Sequence, residues 1–304
     1  MDIVIFILAM TALVFGADFI INQSEKIALH YKISPFVIGA TLVALGTSLP
    51  EMAVSVSASL HGSGDIAVAN VIGSTIFNIS LVLGTVFLIA KNINPSRDIF
   101  AKDSAWSLFP ILIFILMSID GQLTAFDGVL FLILMASYLA FLISSNQVEE
   151  SHEDDKEKFA WGKASFFLII GFLLTIGGAD FAISSASNIA REFGISEWII
   201  GLFLVAFGTS LPELTISIKA ALNNNADLAI GNIIGSNVAN FTMVLGIASI
   251  VNPLNVDLSA YFFDIAAAFI LSLMLVFITA NRLYNRSAGI VLMVVLALVI
   301  NNGF

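Results

Sequence analysis

A chain of 304 residues that is 59% hydrophobic and only 11% charged is not an ordinary soluble domain, where about a quarter of residues are charged. Its mean hydropathy of +1.00 and its long apolar runs instead require membrane-spanning helices of about 20 residues each. The net charge of −10 argues against a nucleic-acid partner, and the lack of cysteine excludes disulfides and thiolate metal sites.

Taken in chain order, the first half predicts spans over 3–22, 34–58, 66–90, 104–119 and 125–145. A polar stretch follows at 146–161, and the second half predicts spans over 162–183, 196–220, 228–250, 258–279 and 286–302. No basic segment precedes the first apolar run, so span 1 is read as part of the mature protein rather than as a signal peptide. His30, His61 and His152 are scattered near predicted loops, and no histidine-ligated centre is expected. If the ten spans alternate, eleven of the twelve Lys and Arg residues fall on one face, and only Arg191 falls on the other. The basic face is cytoplasmic by the positive-inside rule, which puts both termini outside the cell membrane.

The halves repeat one another. GATLVALGTSLPE at 39–51 and GLFLVAFGTSLPE at 201–213 share ten of thirteen residues at an offset of 162. The same offset aligns DIAVANVIGSTIFN at 65–78 with DLAIGNIIGSNVAN at 227–240, and Asp18 with Asp180. Five spans per half is an odd number, so the second half enters the membrane in the opposite sense. The expected fold is an all-α membrane protein with ten transmembrane helices as two inverted-topology repeats of five. Residues 1–145 form the first repeat, 146–161 a cytoplasmic acidic linker, and 162–304 the second repeat.

Within each repeat one motif carries chemistry: Gly46-Thr47-Ser48-Leu49-Pro50-Glu51 and Gly208-Thr209-Ser210-Leu211-Pro212-Glu213. A carboxylate at membrane depth is costly and needs a compensating partner. Pro50 cannot donate to the carbonyl of Gly46 and clashes with it, so the helix should bend or break there. Freed backbone carbonyls are tolerated in a membrane only where they line a cavity or bind something. On a helix, Thr47 and Ser48 share a face with Glu51. Ser74 and Asn78 are similarly spaced in the second block, as are Ser236 and Asn240. The set offers hard oxygen donors, suited to Ca²⁺, Mg²⁺, Na⁺ or K⁺ rather than to softer metals. Two carboxylates are neutralised by one Ca²⁺ or by two Na⁺, which is a physical basis for exchange.

At these residues the chain resembles the sodium/calcium exchanger branch of the cation/calcium exchanger superfamily, in its microbial form with a short central loop. The resemblance implies four clustered cation positions. Glu51 and Glu213 would share the Ca²⁺, with main-chain oxygens of Thr47 and Thr209. Ser48, Ser74 and the carbonyl of Ala44 would complete one flanking Na⁺ position, and Ser210, Ser236 and the carbonyl of Ala206 the other. Asn78 and Asn240 would line the position between the two glutamates. The resemblance further implies Na⁺/Ca²⁺ antiport by alternating access, with spans 1 and 6 sliding against the remainder. Some family members, including the K⁺-dependent exchangers, carry an acid where this chain has Asn240, so the K⁺-independent type is expected here.

Ca²⁺/H⁺ antiport and K⁺-dependent exchange are the alternatives within transport. An intramembrane hydrolase would need a nucleophile with a base, and no Ser/His or paired-Asp arrangement stands out, so no enzyme activity is expected. Expected partners are Na⁺, Ca²⁺ and the lipid bilayer, with no cofactor and no nucleic acid, and a monomer is an admissible unit. The acidic run EESHEDDKE at 149–157 reads as a solvated linker. Asp18 and Asp180 read either as cation-attracting vestibule charges or as helix-end charges with satisfied hydrogen bonds.

Overall fold

Ser34 begins the first bent element of the chain: its side chain accepts the Val37 N–H at 3.3 Å, and Pro35, at the first helical position, lacks only an N–H the helix would leave unused. The computed structural model describes residues 2–62, 64–90, 93–145, 160–192 and 206–302. In chain order the main helices are α1 (Asp2–Tyr31), α2 (Pro35–Thr47), α3 (Leu49–Leu60), α4 (Gly64–Ile89), α5 (Ser104–Asp120) and α6 (Ala125–Ser144). They continue as α7 (Trp161–Glu192), α8 (Ala206–Thr209), α9 (Leu211–Leu222), α10 (Ala226–Val251), α11 (Phe262–Ala280) and α12 (Arg286–Asn302). Local chemistry sets several of the starts. Thr124 and Asp127 form a reciprocal capping box on α6, and Asn225 accepts the Leu228 N–H at 3.1 Å to open α10.

Among the described residues six helices are long and apolar enough to cross a membrane: α1, α4, α6, the 161–178 part of α7, α10 and α11. The pair α2–α3, bent by 44°, makes a seventh, while α5 and α12 are shorter apolar helices. The protein is therefore a multi-pass membrane protein. The predicted spans find helices where they are described, although α1 runs on to Tyr31, well past residue 22, and α11 starts later than predicted. The start of the span expected at 196–220 and nearly all of the linker expected at 146–161 lie outside the described residues. The fold is all-helical as expected, with one two-residue ladder between loops. Gln122–Leu123 (β1) pairs antiparallel with Leu254–Asn255 (β2), because the loops after α5 and α10 meet and share their backbone hydrogen bonds.

Two helices occupy the centre. The apolar windows of α10 and α4 are 83% and 67% buried within the protein, against 28% for α1, α6 and α7. The outer helices leave Ile7, Leu8, Phe15, Ile133, Ile169 and Leu173 exposed, as helices facing hydrocarbon should. α2 crosses α10 with backbone almost touching backbone. A Cβ at Gly235 would lie 2.5 Å from the Ala40 carbonyl oxygen, and one at Gly39 would lie 2.5 Å from that of Leu228. Small residues that let helix backbones approach this closely are the usual means of tight packing in a membrane. Gly235→Ala is expected to destabilise the protein by about 1–3 kcal/mol, since the three nearest obstructing atoms all belong to the Ala40 backbone. An unchanged melting temperature in detergent would show the crossing to be looser than this.

Candidate functional site

Each repeat breaks at its serine. Ser48 (φ −83°, ψ 7°) separates α2 from α3, and Ser210 (φ −88°, ψ 2°) separates α8 from α9. Pro50 and Pro212 then sit in the first turns of α3 and α9, where a missing N–H costs nothing. Glu51 and Glu213 follow in those same first turns, where the helix dipole favours negative charge. Both carboxylates are fully buried, and they lie close enough to repel one another. The predicted break is present, and its nearly identical dihedrals in both halves reflect the identical residues.

The α2–α10 crossing carries the Ser48 break to the second repeat. Ser48 donates to Glu213 Oε1 at 3.3 Å, and Ser236 on α10 donates to the same oxygen at 3.5 Å. Thr47 Oγ1 lies 3.5 Å from Ser236 Oγ and 3.2 Å from the Ala44 carbonyl. That carbonyl also accepts the Ser48 N–H at 3.0 Å. Asn78 and Asn240 each sit where an α-helical stretch passes into a π-helical one, at Asn78–Leu83 within α4 and Asn240–Val244 within α10. Such widened turns recur at functional sites.

Of the expected residues, Thr47, Ser48, Glu213 and Ser236 are brought into one hydrogen-bonded set, while Asn78 bonds elsewhere, to Asn237. Ser74, Ser210 and Asn240 are buried without a side-chain partner among the described residues, and Glu51 is buried within hydrogen-bonding reach of Thr209. Thr209 is buried at the end of α8, which Ala206 opens. Among the described residues, Glu213 Oε2, Ser74 Oγ, Ser210 Oγ, Asn78 Oδ1 and Asn240 Oδ1 are left without a donor. Leaving that many buried acceptors without donors is costly, and an array of oxygens is what a hard cation requires. No three His, Cys, Asp or Glu side chains cluster among the described residues.

Sequence reasoning missed a layer of amides. Asn70 donates to Ser55 Oγ at 3.0 Å, and Asn232 donates to Ser217 Oγ at 3.0 Å; the two pairs are related by the repeat offset. Asn70 also donates to the Glu51 carbonyl at 3.2 Å, and Asn232 Oδ1 accepts from Thr47 at 3.4 Å. Both asparagines are among the identical positions of the repeated block at 65–78 and 227–240, which is the signal that could have found them. Asn237 was missed as well, and nothing in the repeat points to it, since Thr75 occupies the matching place. Outside the site, Asp18 pairs with Lys219 on α9 at 2.9 Å, so its charge is countered, whereas Asp180 is exposed.

The family model described as sodium/calcium exchanger protein matches residues 1–144 and 163–301. An uncharacterized membrane protein of Methanocaldococcus jannaschii, MJ0091, is 37% identical over 94% of this chain and 92% of its own length. The sodium/calcium exchanger MaX1 of Methanosarcina acetivorans is 29% identical over 96% of this chain and 95% of its own. A solved structure of the sodium-calcium exchanger NCX_Mj, soaked with zero Na⁺ and Ca²⁺, superposes with a TM-score of 0.87 at 34% identity, covering 100% of this chain and 99% of that one.

Proposed function

This chain belongs to the sodium/calcium exchanger family, and from that premise we propose that it exchanges Na⁺ for Ca²⁺ across the cell membrane, with Glu51 and Glu213 as the shared ligands. The observation that carries this reading is the duplicated break, which buries two carboxylates within repulsive range of each other, while further buried side-chain oxygens are without donors among the described residues. Glu51 and Glu213 take the Ca²⁺ with the Thr47 and Thr209 main-chain oxygens. Ser48 and Ser74 with the Ala44 carbonyl take one Na⁺, and Ser210 and Ser236 with the Ala206 carbonyl the other. Asn78 and Asn240 line the position between the glutamates. The Ala44 carbonyl has a lone pair for the ion when the Thr47 hydroxyl turns to Asn232 Oδ1.

Ten spans in two inverted repeats, 1–145 and 162–304 around a cytoplasmic linker at 146–161, agree with the matched helices and the offset of 162. Both termini then lie outside. Alternating access would move α1 and α7 together. These two helices pack on each other symmetrically, with Gly16 against Gly171 and Thr175, and Gly178 against Ala9 and Leu13.

The test is ⁴⁵Ca²⁺ uptake into vesicles holding the purified protein, driven in turn by a Na⁺ gradient, by a pH gradient without Na⁺, and by a Na⁺ gradient with and without K⁺. Uptake is expected with Na⁺ alone. Uptake driven by the pH gradient in Na⁺-free buffer would replace this reading with Ca²⁺/H⁺ exchange, and an absolute K⁺ requirement would replace it with the K⁺-dependent type.

A further inference from the structure

An asparagine side chain presents an acceptor at one end and donors at the other, and its neighbours decide which end faces a given site. Asn78 Nδ2 donates to Asn237 Oδ1 at 3.0 Å, from the π-helical stretch of α4 to α10. Asn78 is fully buried and Asn237 is 2% exposed. With its amino group held, Asn78 keeps a buried Oδ1 that has no donor among the described residues. The stretch that begins at Asn78 packs against both α9, which carries Glu213, and α10. The other repeat lacks this arrangement. Its matching residue at position 75 is Thr75, whose hydroxyl has no partner, and Asn240 has neither amide atom bonded among the described residues.

We propose that Asn237 is a positioning residue that holds the amino group of Asn78 away from the ions, so that Asn78 offers its carbonyl oxygen to a bound cation. The proposal rests on the exchange reading above. Without Asn237 the amide is free to turn its N–H groups toward the glutamates, to which they are attracted as hydrogen-bond donors, and the cation must then displace them. The site is consequently asymmetric: the first-repeat amide is held in one orientation by a hydrogen bond, and that of Asn240 has no such bond among the described residues.

Equilibrium ⁴⁵Ca²⁺ binding to the purified protein in Na⁺-free buffer, with melting temperatures recorded in parallel, tests this. Asn237→Leu is expected to weaken binding about tenfold, the effect of losing one hydrogen bond that orients a charged site. In an Asn78→Asp background both ends of the side chain are oxygens and no orientation is needed, so the same Asn237→Leu change is expected to cost less than about twofold. Unchanged affinity in Asn237→Leu, or an equal loss in both backgrounds, overturns the proposal; a merely structural role would lower affinity and melting alike in each. Ionised, at a pH well above the ordinary carboxylate range, Asn237→Asp has only acceptors and keeps the Asn78 amino group turned toward it. It is expected to bind within about threefold of the parent or more tightly, and a loss of about tenfold would overturn the assigned direction of the bond. If Asn237→Leu does not fold, Asn237→Asp decides alone. Failure of the parent to bind Ca²⁺ at all, with Glu213→Gln no different, would overturn the exchange reading and this proposal with it.

Discussion

Glu213→Gln and Glu51→Gln are each expected to reduce Na⁺-driven ⁴⁵Ca²⁺ uptake at least about 100-fold, equivalent to roughly 2.7 kcal/mol of lost binding or transition-state stabilisation. A carboxylate against Ca²⁺ at about 2.4 Å has a gross Coulomb attraction on the order of 10 kcal/mol at an effective dielectric constant near 20, so a neutral isostere forfeits far more than a hydrogen bond. The folded protein should survive both changes. Glu213 Oε1 accepts from Ser48 and Ser236, and the carbonyl oxygen of glutamine can accept both bonds. The Glu51 side chain accepts a hydrogen bond from Thr209, which the carbonyl oxygen of glutamine can still accept, and its neutralisation removes the repulsion with Glu213. Melting temperatures in Ca²⁺-free detergent should therefore stay level or rise while uptake disappears. Uptake above about a tenth of the parent in either variant would remove that glutamate from the ligand set.

The second large effect lies away from the ions. Arg97 donates through Nη2 to Asp103 at 2.9 Å and also bonds it through Nε. It donates to the carbonyl and hydroxyl of Ser145 at the end of α6, and its guanidinium lies 4.9 Å from the centre of the Phe36 ring in α2. Asp103 is fully buried, and the backbone N–H groups of Ser96 and Arg97 bond Asp227 in the first turn of α10. One side chain thus ties α2, α6 and the start of α5 together, on a segment anchored to α10. Arg97→Met leaves a buried carboxylate without its cation and is expected to cost about 3–5 kcal/mol. That corresponds to a fall in melting temperature on the order of 5–10 °C for a chain of this size.

The cost should depend on pH, with a definite sign. Burial already pushes the Asp103 carboxyl above the usual carboxylate range, with the Arg97 hydrogen bonds and charge pulling the other way. Removing Arg97 raises it further, so the folded variant binds a proton that the unfolded chain releases, and its stability falls as pH rises through that window. The deficit of Arg97→Met relative to the parent should accordingly be smaller at pH 5 than at pH 8. A deficit independent of pH, or one not reduced by adding Asp103→Leu, would show that packing rather than charge governs this corner.

The duplicated motif was legible because it is local. Glu51 and Pro50 stand one residue apart, and proline chemistry alone breaks the helix behind it wherever the chain runs. Repetition at an offset of 162 paired the two glutamates, and the length and polarity of apolar runs were enough to require several spans. What the sequence by itself determined, then, is the membrane setting, the duplication, the breaks, and the costly buried carboxylates that call for cations. Only the tertiary structure decided which hydroxyls reach which carboxylate. Ser48 reaches Glu213 rather than the nearby Glu51 because α2 and α10 cross at backbone contact, a proximity that no spacing along the chain encodes. The same applies to Asn237, which matters through Asn78 on another helix, and to Arg97, whose partners come from three separate elements. Helical periodicity reports which residues share a face of one helix. Hydrogen bonds and ion pairs between helices depend on crossing points, and those follow from the packing of the whole bundle.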